Sequence, residues 1–198
     1  MKITDIKQQV KRQDRYSIYV DGKYVFSFSE NELLSLGLRV GQEFDEGELE
    51  KLKKSAIEDK AYMRSLDLIM RRQRSEWEVR DYLKRKDYES ETVEKIVNRL
   101  SNSGYIDDKK FAEAWVNNRR LLKATSKRKL RLELKQKRVS DEVISEVISE
   151  DETDERQVLK DLIAKKRSQT RYQDDQKLIA YLMRQGFNYE DIKLVLSD

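Results

Sequence analysis

The chain has 198 residues, 40% of them charged, with no cysteine, histidine or proline and a mean hydropathy of −0.90. That composition excludes disulfides, Cys/His zinc sites and thiolate or imidazole nucleophiles, and it predicts small units that each bury a narrow stripe. The net charge of +4 averages over strong segregation: Ser27–Glu50 holds seven acids against Arg39, Lys109–Arg138 holds twelve cations against Glu113 and Glu133, and Val139–Glu155 holds eight acids and no base.

No apolar run approaches the ~20 residues of a membrane span, and MKITDIKQQVKRQD lacks the apolar core of a signal peptide, so a cytoplasmic protein is expected. Residues 1–58 form the first expected unit. Tyr16–Val20 and Lys23–Phe28 flank Asp21-Gly22, a strong hairpin signal, and Ile3–Val10 can add a third strand. A regular hairpin puts Ile18 and Val25 on one face and Tyr19, Tyr24 and Phe26 on the other. These aromatics read as core and cross-strand pairs ahead of a base-stacking platform. Ser29 and Glu32 form a capping box for a short helix that Gly37 stops. Asp45 and Glu48 form a second box, opening a helix that runs towards Lys60.

From residue 59 the apolar spacing is helical throughout, and it repeats. Ser75, Ser126 and Asp174 each read as an N-cap, followed four residues on by Val79, Leu130 and Leu178, and eight on by Leu83, Leu134 and Leu182. Tyr88, Val139 and Phe187 come next. The following helices bury Val93, Ile96 and Val97; Ile144, Val147 and Ile148; and Ile192, Val195 and Leu196. Asp59–Arg72, Asp108–Lys123 and Thr153–Lys166 precede the pairs as further helices. The expected fold is mainly α: an elongated array of three tandem three-helix repeats (59–106, 107–151 and 152–198) behind a small α+β unit.

Residues shared by all repeats belong to the fold, and those special to one are candidates for function. On the helix after Ser126, Lys127, Arg131, Lys135 and Arg138 fall within about 80° of one another. Their counterparts are Glu76, Arg80, Lys84 and Asp87 in the first repeat, and Asp175, Ile179, Met183 and Gly186 in the third. Only the second repeat has four cations there, a row suited to a polyanion backbone. Arg119, Arg120 and Lys123 extend the region, with Arg128, Lys129 and Lys137 beside it. Trp77 has polar counterparts, Arg128 and Gln176, so it either wedges at a junction or contacts a partner, together with Arg80 and Lys84. Trp115, four residues from Phe111, reads as core.

Neither GxxxxGK[ST] nor GxGxxG occurs. Glu133-Leu134-Lys135 matches a nuclease ExK fragment, but mid-helix with its leucine inward. Asp107 and Asp108 could ligate Mg²⁺, yet before a helix they read as cap and first-turn acids. No catalytic constellation, cofactor or metal site is expected, and the chain reads as a binding protein and not an enzyme. The absence of a long exposed heptad points to a monomer.

GYIDDKKFAEAW, followed by NNRRLL and LRLELKQKRV, resembles the signature of the bacterial RecX regulatory proteins. RSEWEVRDYLKRKDY before it and LMRQGFNYEDIKLVL after it share the likeness, as does the extension from Arg15 to Leu49. The glycine that usually closes the second helix is Asp87 in the first repeat and Arg138 in the second; only Gly186 fits. The glycine usual in the loop before the second repeat's second helix is missing from KATSKRKL. The resemblance implies a modulator, usually negative, of the RecA recombinase in recombination and DNA repair. Such a protein lies along the groove of the RecA–single-stranded-DNA filament and alters ATP turnover and strand exchange. The basic row would then face DNA or an acidic RecA surface, and the acids of Val139–Glu155 would meet basic patches of the partner. The alternative is a sequence-nonspecific protein that binds single- or double-stranded DNA without RecA.

Overall fold

The structure, a computed structural model, describes residues 1–197. Strands β1 (Ile3–Gln8), β2 (Arg15–Val20) and β3 (Lys23–Ser29) form an antiparallel sheet in that order. Asp21 and Gly22 take φ values of 49° and 80°, as the tight hairpin turn requires. The expected facing of the hairpin needs correction. Tyr19 lies opposite Tyr24 but Ile18 lies opposite Phe26, so Val25 is the extra residue of a β-bulge. The bulge brings Ile18 and Phe26 to one face, where both are buried with Ile3, Val20 and Phe28. Tyr19 and Tyr24 make an edge-to-face pair on the outside, centroids 6.1 Å apart.

Helix α1 (Glu30–Ser35) begins where Ser29 Oγ accepts from the Glu32 amide at 3.3 Å, and Gly37 follows it at φ 59°. The reciprocal half of the expected box is taken elsewhere. The Ser29 amide donates to Asp59 at 2.8 Å, and Asp59 also accepts from Ser29 Oγ and pairs with Arg15 at 3.1 Å. Both charged side chains are more than nine-tenths buried, so this node ties the sheet to the next helix. That helix, α2 (Glu46–Arg71), opens on the Asp45/Glu48 capping box. It runs unbroken through residue 58, burying Leu49 and Ala56 under the sheet and Ala61 and Ser65 beyond it.

The chain divides into two compact units, residues 1–73 with 79–106, and residues 74–78 with Asp107 onward. In the first, the second half of α2 packs with α3 (Glu76–Lys84, most of which lies here) and α4 (Ser90–Asn102) around Val79, Leu83, Val93, Ile96, Val97 and Leu100. The second holds two further three-helix sets. Helices α5 (Asp108–Leu122), α6 (Lys127–Gln136) and α7 (Asp141–Glu150) enclose Phe111, Val116, Leu130, Leu134, Ile144 and Val147. Helices α8 (Glu155–Arg167), α9 (Asp175–Arg184) and α10 (Tyr189–Ser197) enclose Leu159, Leu162, Leu178, Leu182, Phe187 and Ile192, with a 3-10 turn at Thr170–Tyr172. The fold is mainly α, with a small sheet followed by tandem three-helix repeats. Asp87, Arg138 and Gly186 end the three second helices with φ of 59°, 57° and 91°, so the left-handed exit persists where glycine is missing.

Candidate nucleic-acid interface

Ser126 caps α6 by accepting from the Lys129 amide at 3.1 Å, and its hydroxyl donates to the Gln185 carbonyl at the end of α9 at 2.9 Å. The same construction joins α3 to α6: Ser75 accepts from the Glu78 amide and donates to the Lys137 carbonyl at 2.9 Å. The residue three past each cap then reaches the side chain of that terminal residue. Lys137 Nζ meets Glu78 at 2.7 Å, and Lys129 Nζ meets Gln185 Oε1 at 2.8 Å. Each capping serine thus satisfies both a helix start and the end of a helix in the next repeat.

This framework sorts the cations of the second repeat. Along the row, Lys127 Nζ donates to the Asp151 carbonyl at 2.6 Å, Arg131 reaches Ser145 Oγ at 3.5 Å, and Lys135 pairs with Asp141 at 2.9 Å. Arg138, exposed, has no ionic partner among the described residues. Arg119 and Arg120, adjacent in sequence, point to different sides of α5. Arg119 donates to Glu133 at 2.7 Å and lies over the Trp115 ring, whereas Arg120 is half-buried against Asp151 and the Thr125 carbonyl. Lys123 and Arg128 are exposed, and no ionic partner is present for either among the described residues.

Several acids of the following stretch meet the chain's own cations or backbone. Lys109 meets Glu146 and Glu150, Arg120 meets Asp151, Lys135 meets Asp141, and the Lys127 amide donates to Glu155 at 2.6 Å. Burial alone would raise the Asp151 carboxyl, but the hydrogen bonds of Arg120 and Thr153 outweigh it and hold the group below the ordinary range. Charge alternation between a basic helix and an acidic one was legible in the sequence. Their pairing depends on α7 packing against both α5, which carries Lys109 and Arg120, and α6, which carries Lys135, and no local pattern encodes that.

The remaining candidates divide in the same way. Trp115 packs against Phe111 with centroids 5.7 Å apart, and its indole donates to Glu133 at 2.8 Å, while Lys137 lies over the same ring. Glu133 and Lys135 therefore serve different partners on opposite sides of Leu134. Trp77 is 41% exposed, Arg80 pairs with Glu94, and Lys84 is exposed. Asp107 caps α5 through the Lys110 amide, which holds its carboxyl below the ordinary value. Asp108 stands in the first turn of α5 as expected, and its carboxylate also accepts from the Glu76 amide at 2.8 Å, in the first turn of α3. Burial, opposed by that bond and reinforced by Glu76, Asp107 and Glu78, raises the Asp108 pKa. Among the described residues no three His, Cys, Asp or Glu side chains gather as a metal would need, and no helix is long and apolar enough to cross a membrane.

Four sequence profiles match in series: the N-terminal domain of regulatory protein RecX over residues 1–45, and the first, second and third RecX three-helix domains over 61–100, 107–148 and 154–196. The chain belongs to the RecX family. "Regulatory protein RecX" of Listeria monocytogenes serotype 4a is 33% identical over 205 residues, covering all of this chain and 76% of its relative. The RecX protein of Bacillus velezensis is 31% identical, covering 98% of this chain and 76% of the relative. A crystal structure of regulatory protein RecX superposes with a TM-score of 0.76 at 29% identity, over 100% of this chain and 99% of the other. RecX from Lactobacillus salivarius shares the fold at a TM-score of 0.61 and 22% identity, over 71% of this chain and 94% of the other.

Proposed function

We propose that this chain is a negative regulator of the RecA recombinase, acting in the cytoplasm as a monomer on the RecA–single-stranded-DNA filament. Membership of the RecX family carries this proposal. Two features of the second repeat support it. Exposed Lys123, Arg128 and Arg138 supply charge that the neighbouring acids do not neutralise, and Lys135 with Arg131 can trade weak, exposed partners for phosphates at little cost.

The first test is the ATPase rate of RecA on single-stranded DNA, with strand exchange alongside and a nuclease control. Added protein should lower both rates. Unchanged rates would refute regulation and leave a DNA-binding protein acting without RecA. Replacing Lys127, Arg131, Lys135 and Arg138 by alanine should weaken binding to bare DNA and flatten its salt dependence. Unchanged binding would mean that the row touches protein or nothing.

A further inference from the structure

A cleft of about 430 Å³ opens between the α5–α6 loop and helices α8 and α9. Lys123, Lys129, Lys165 and Lys166 line it, against the carboxylates of Glu133 and Asp161. Glu133 is already paired with Arg119 and Trp115, whereas Asp161 accepts only from the Gln157 amide group at 2.8 Å and keeps its charge, one carboxylate against four lysines. Lys129 is bound to an uncharged amide oxygen, and Lys166 sits over the rings of Tyr172 and Tyr181, 5.4 and 4.9 Å from their centroids. Among the described residues, Lys123 and Lys165 have no ionic partner.

The repeat supplies a control for this charge. One repeat earlier, Glu78 stands at the place of Lys129, Glu133 at that of Tyr181, and Lys137 at that of Gln185. There the charges close on themselves: Lys137 pairs with Glu78 and Arg119 with Glu133, both at 2.7 Å. At the cleft two carboxylates are gone and an ammonium stands where one of them was. The fold therefore does not need this excess of cations, and its own side chains do not neutralise it.

The walls indicate what kind of anion fits. Leu122 lines the mouth and is 76% exposed, its neighbour Leu121 is 83% exposed, and Tyr181 supplies an aromatic surface inside. Lysines beside an exposed leucine and a half-buried tyrosine suit a ligand that alternates phosphates with flat, weakly polar rings. The volume admits one nucleotide and not a duplex. We propose that this cleft binds the phosphodiester backbone of single-stranded DNA, the lysines holding a phosphate and Leu122 and Tyr181 the adjoining sugar and base. The inference deepens the function proposed above and rests on it for its biological setting, but its test needs no RecA.

The probe is a fluorescein-labelled dT oligonucleotide, followed by anisotropy across a salt series. Removing the phosphate contact with Lys123→Ala and Lys165→Ala together should reduce the slope of log K against log salt by about 0.7, the share of one phosphate on a single strand. Lys129→Glu, which restores the acid of the preceding repeat, should weaken binding at least as much. Lys193→Ala, exposed on α10, should leave both unchanged. A 5-bromodeoxyuridine oligonucleotide should crosslink to the peptide containing Tyr181. An unaltered slope in the double lysine variant, crosslinks mapping elsewhere, or no binding by the wild type would overturn the site. So would displacement of the oligonucleotide by polyglutamate at equal charge, which would assign the cleft to an acidic polypeptide. Failure of RecA inhibition with these binding results intact would remove the regulator and keep the site.

Discussion

Replacing Gly186 by alanine tests whether the capping-serine junction is as tight as its geometry indicates. A Cβ there would overlap Ser126 Oγ and lie 3.0 Å from Lys129 Cβ and 3.1 Å from the Lys129 amide nitrogen. Ser126 Oγ is held by two hydrogen bonds, and the amide is part of the first turn of α6, so neither can retreat freely. The left-handed backbone, at φ 91°, adds ~1–2 kcal/mol for a residue with a Cβ. Overpacking against the α6 start adds ~1–3 kcal/mol, for a total of about 3 kcal/mol. Both tryptophans lie in the second unit, and Trp115 packs against the core of α5–α7, so the indole fluorescence of Trp115 during urea unfolding, read in a Trp77→Phe background, reports on that unit. For a unit of about a hundred residues, with an m value of ~1.5 kcal/mol/M, the midpoint should fall by about 2 M. Adding Ser126→Ala removes the worst overlap, so the double variant should be more stable than the sum of the two single effects by about 1 kcal/mol. A loss below about 0.5 kcal/mol for Gly186→Ala, or strict additivity in the double variant, would refute the close approach.

Arg138→Gly isolates the conformational part of the same effect, because Arg138 holds φ 57° with a Cβ at the equivalent position. The unit should gain roughly 0.5–1 kcal/mol by indole fluorescence while binding to bare DNA weakens, and a loss of both would assign Arg138 to the fold alone. Asp108→Asn addresses pH. The folded carboxyl of Asp108 titrates above its ordinary value, so the folded state binds the extra proton first, and stability from this group falls as pH rises through the raised pKa. Asparagine keeps an acceptor for the Glu76 amide and abolishes the titration. The variant should therefore gain on the wild type between pH 4 and pH 7, measured by urea unfolding; a constant difference would contradict the shift.

The helical repeat was legible because its buried positions recur by strict spacing. Val79, Leu83, Leu130, Leu134, Leu178 and Leu182 are all fully buried, and Ser75, Ser126 and Asp174 all accept a first-turn amide. The hairpin turn was legible too, since Asp-Gly tolerates positive φ. Its bulge was not, because Val25 fits either face equally well and only the register against β2 decides. Nor was the role of Asp59, which reaches across thirty residues to take the Ser29 amide from Glu32. For the candidate interface, composition located the cations but could not say which were spent. Arg119 and Arg120 look alike in sequence, yet one lies over Trp115 against Glu133 and the other is half-buried against Asp151. That division depends on which side of α5 each faces and on what the following helices bring there.

The unbroken course of α2 bears on how this protein can be dissected. Its first half is sealed under the sheet through Leu49 and Ala56, and its second half fills the first repeat through Ala61. A cut between residues 58 and 59 would divide a rod of about 39 Å and leave each fragment with a raw apolar edge. The boundary between the compact units also falls inside α3, with residues 74–78 grouped with the second and third repeats and the rest of that helix with the first. Sequence profiles parse the chain into four consecutive segments, but α2 belongs to two cores at once. Truncations that follow the profile boundaries will report on broken joints as much as on missing functions.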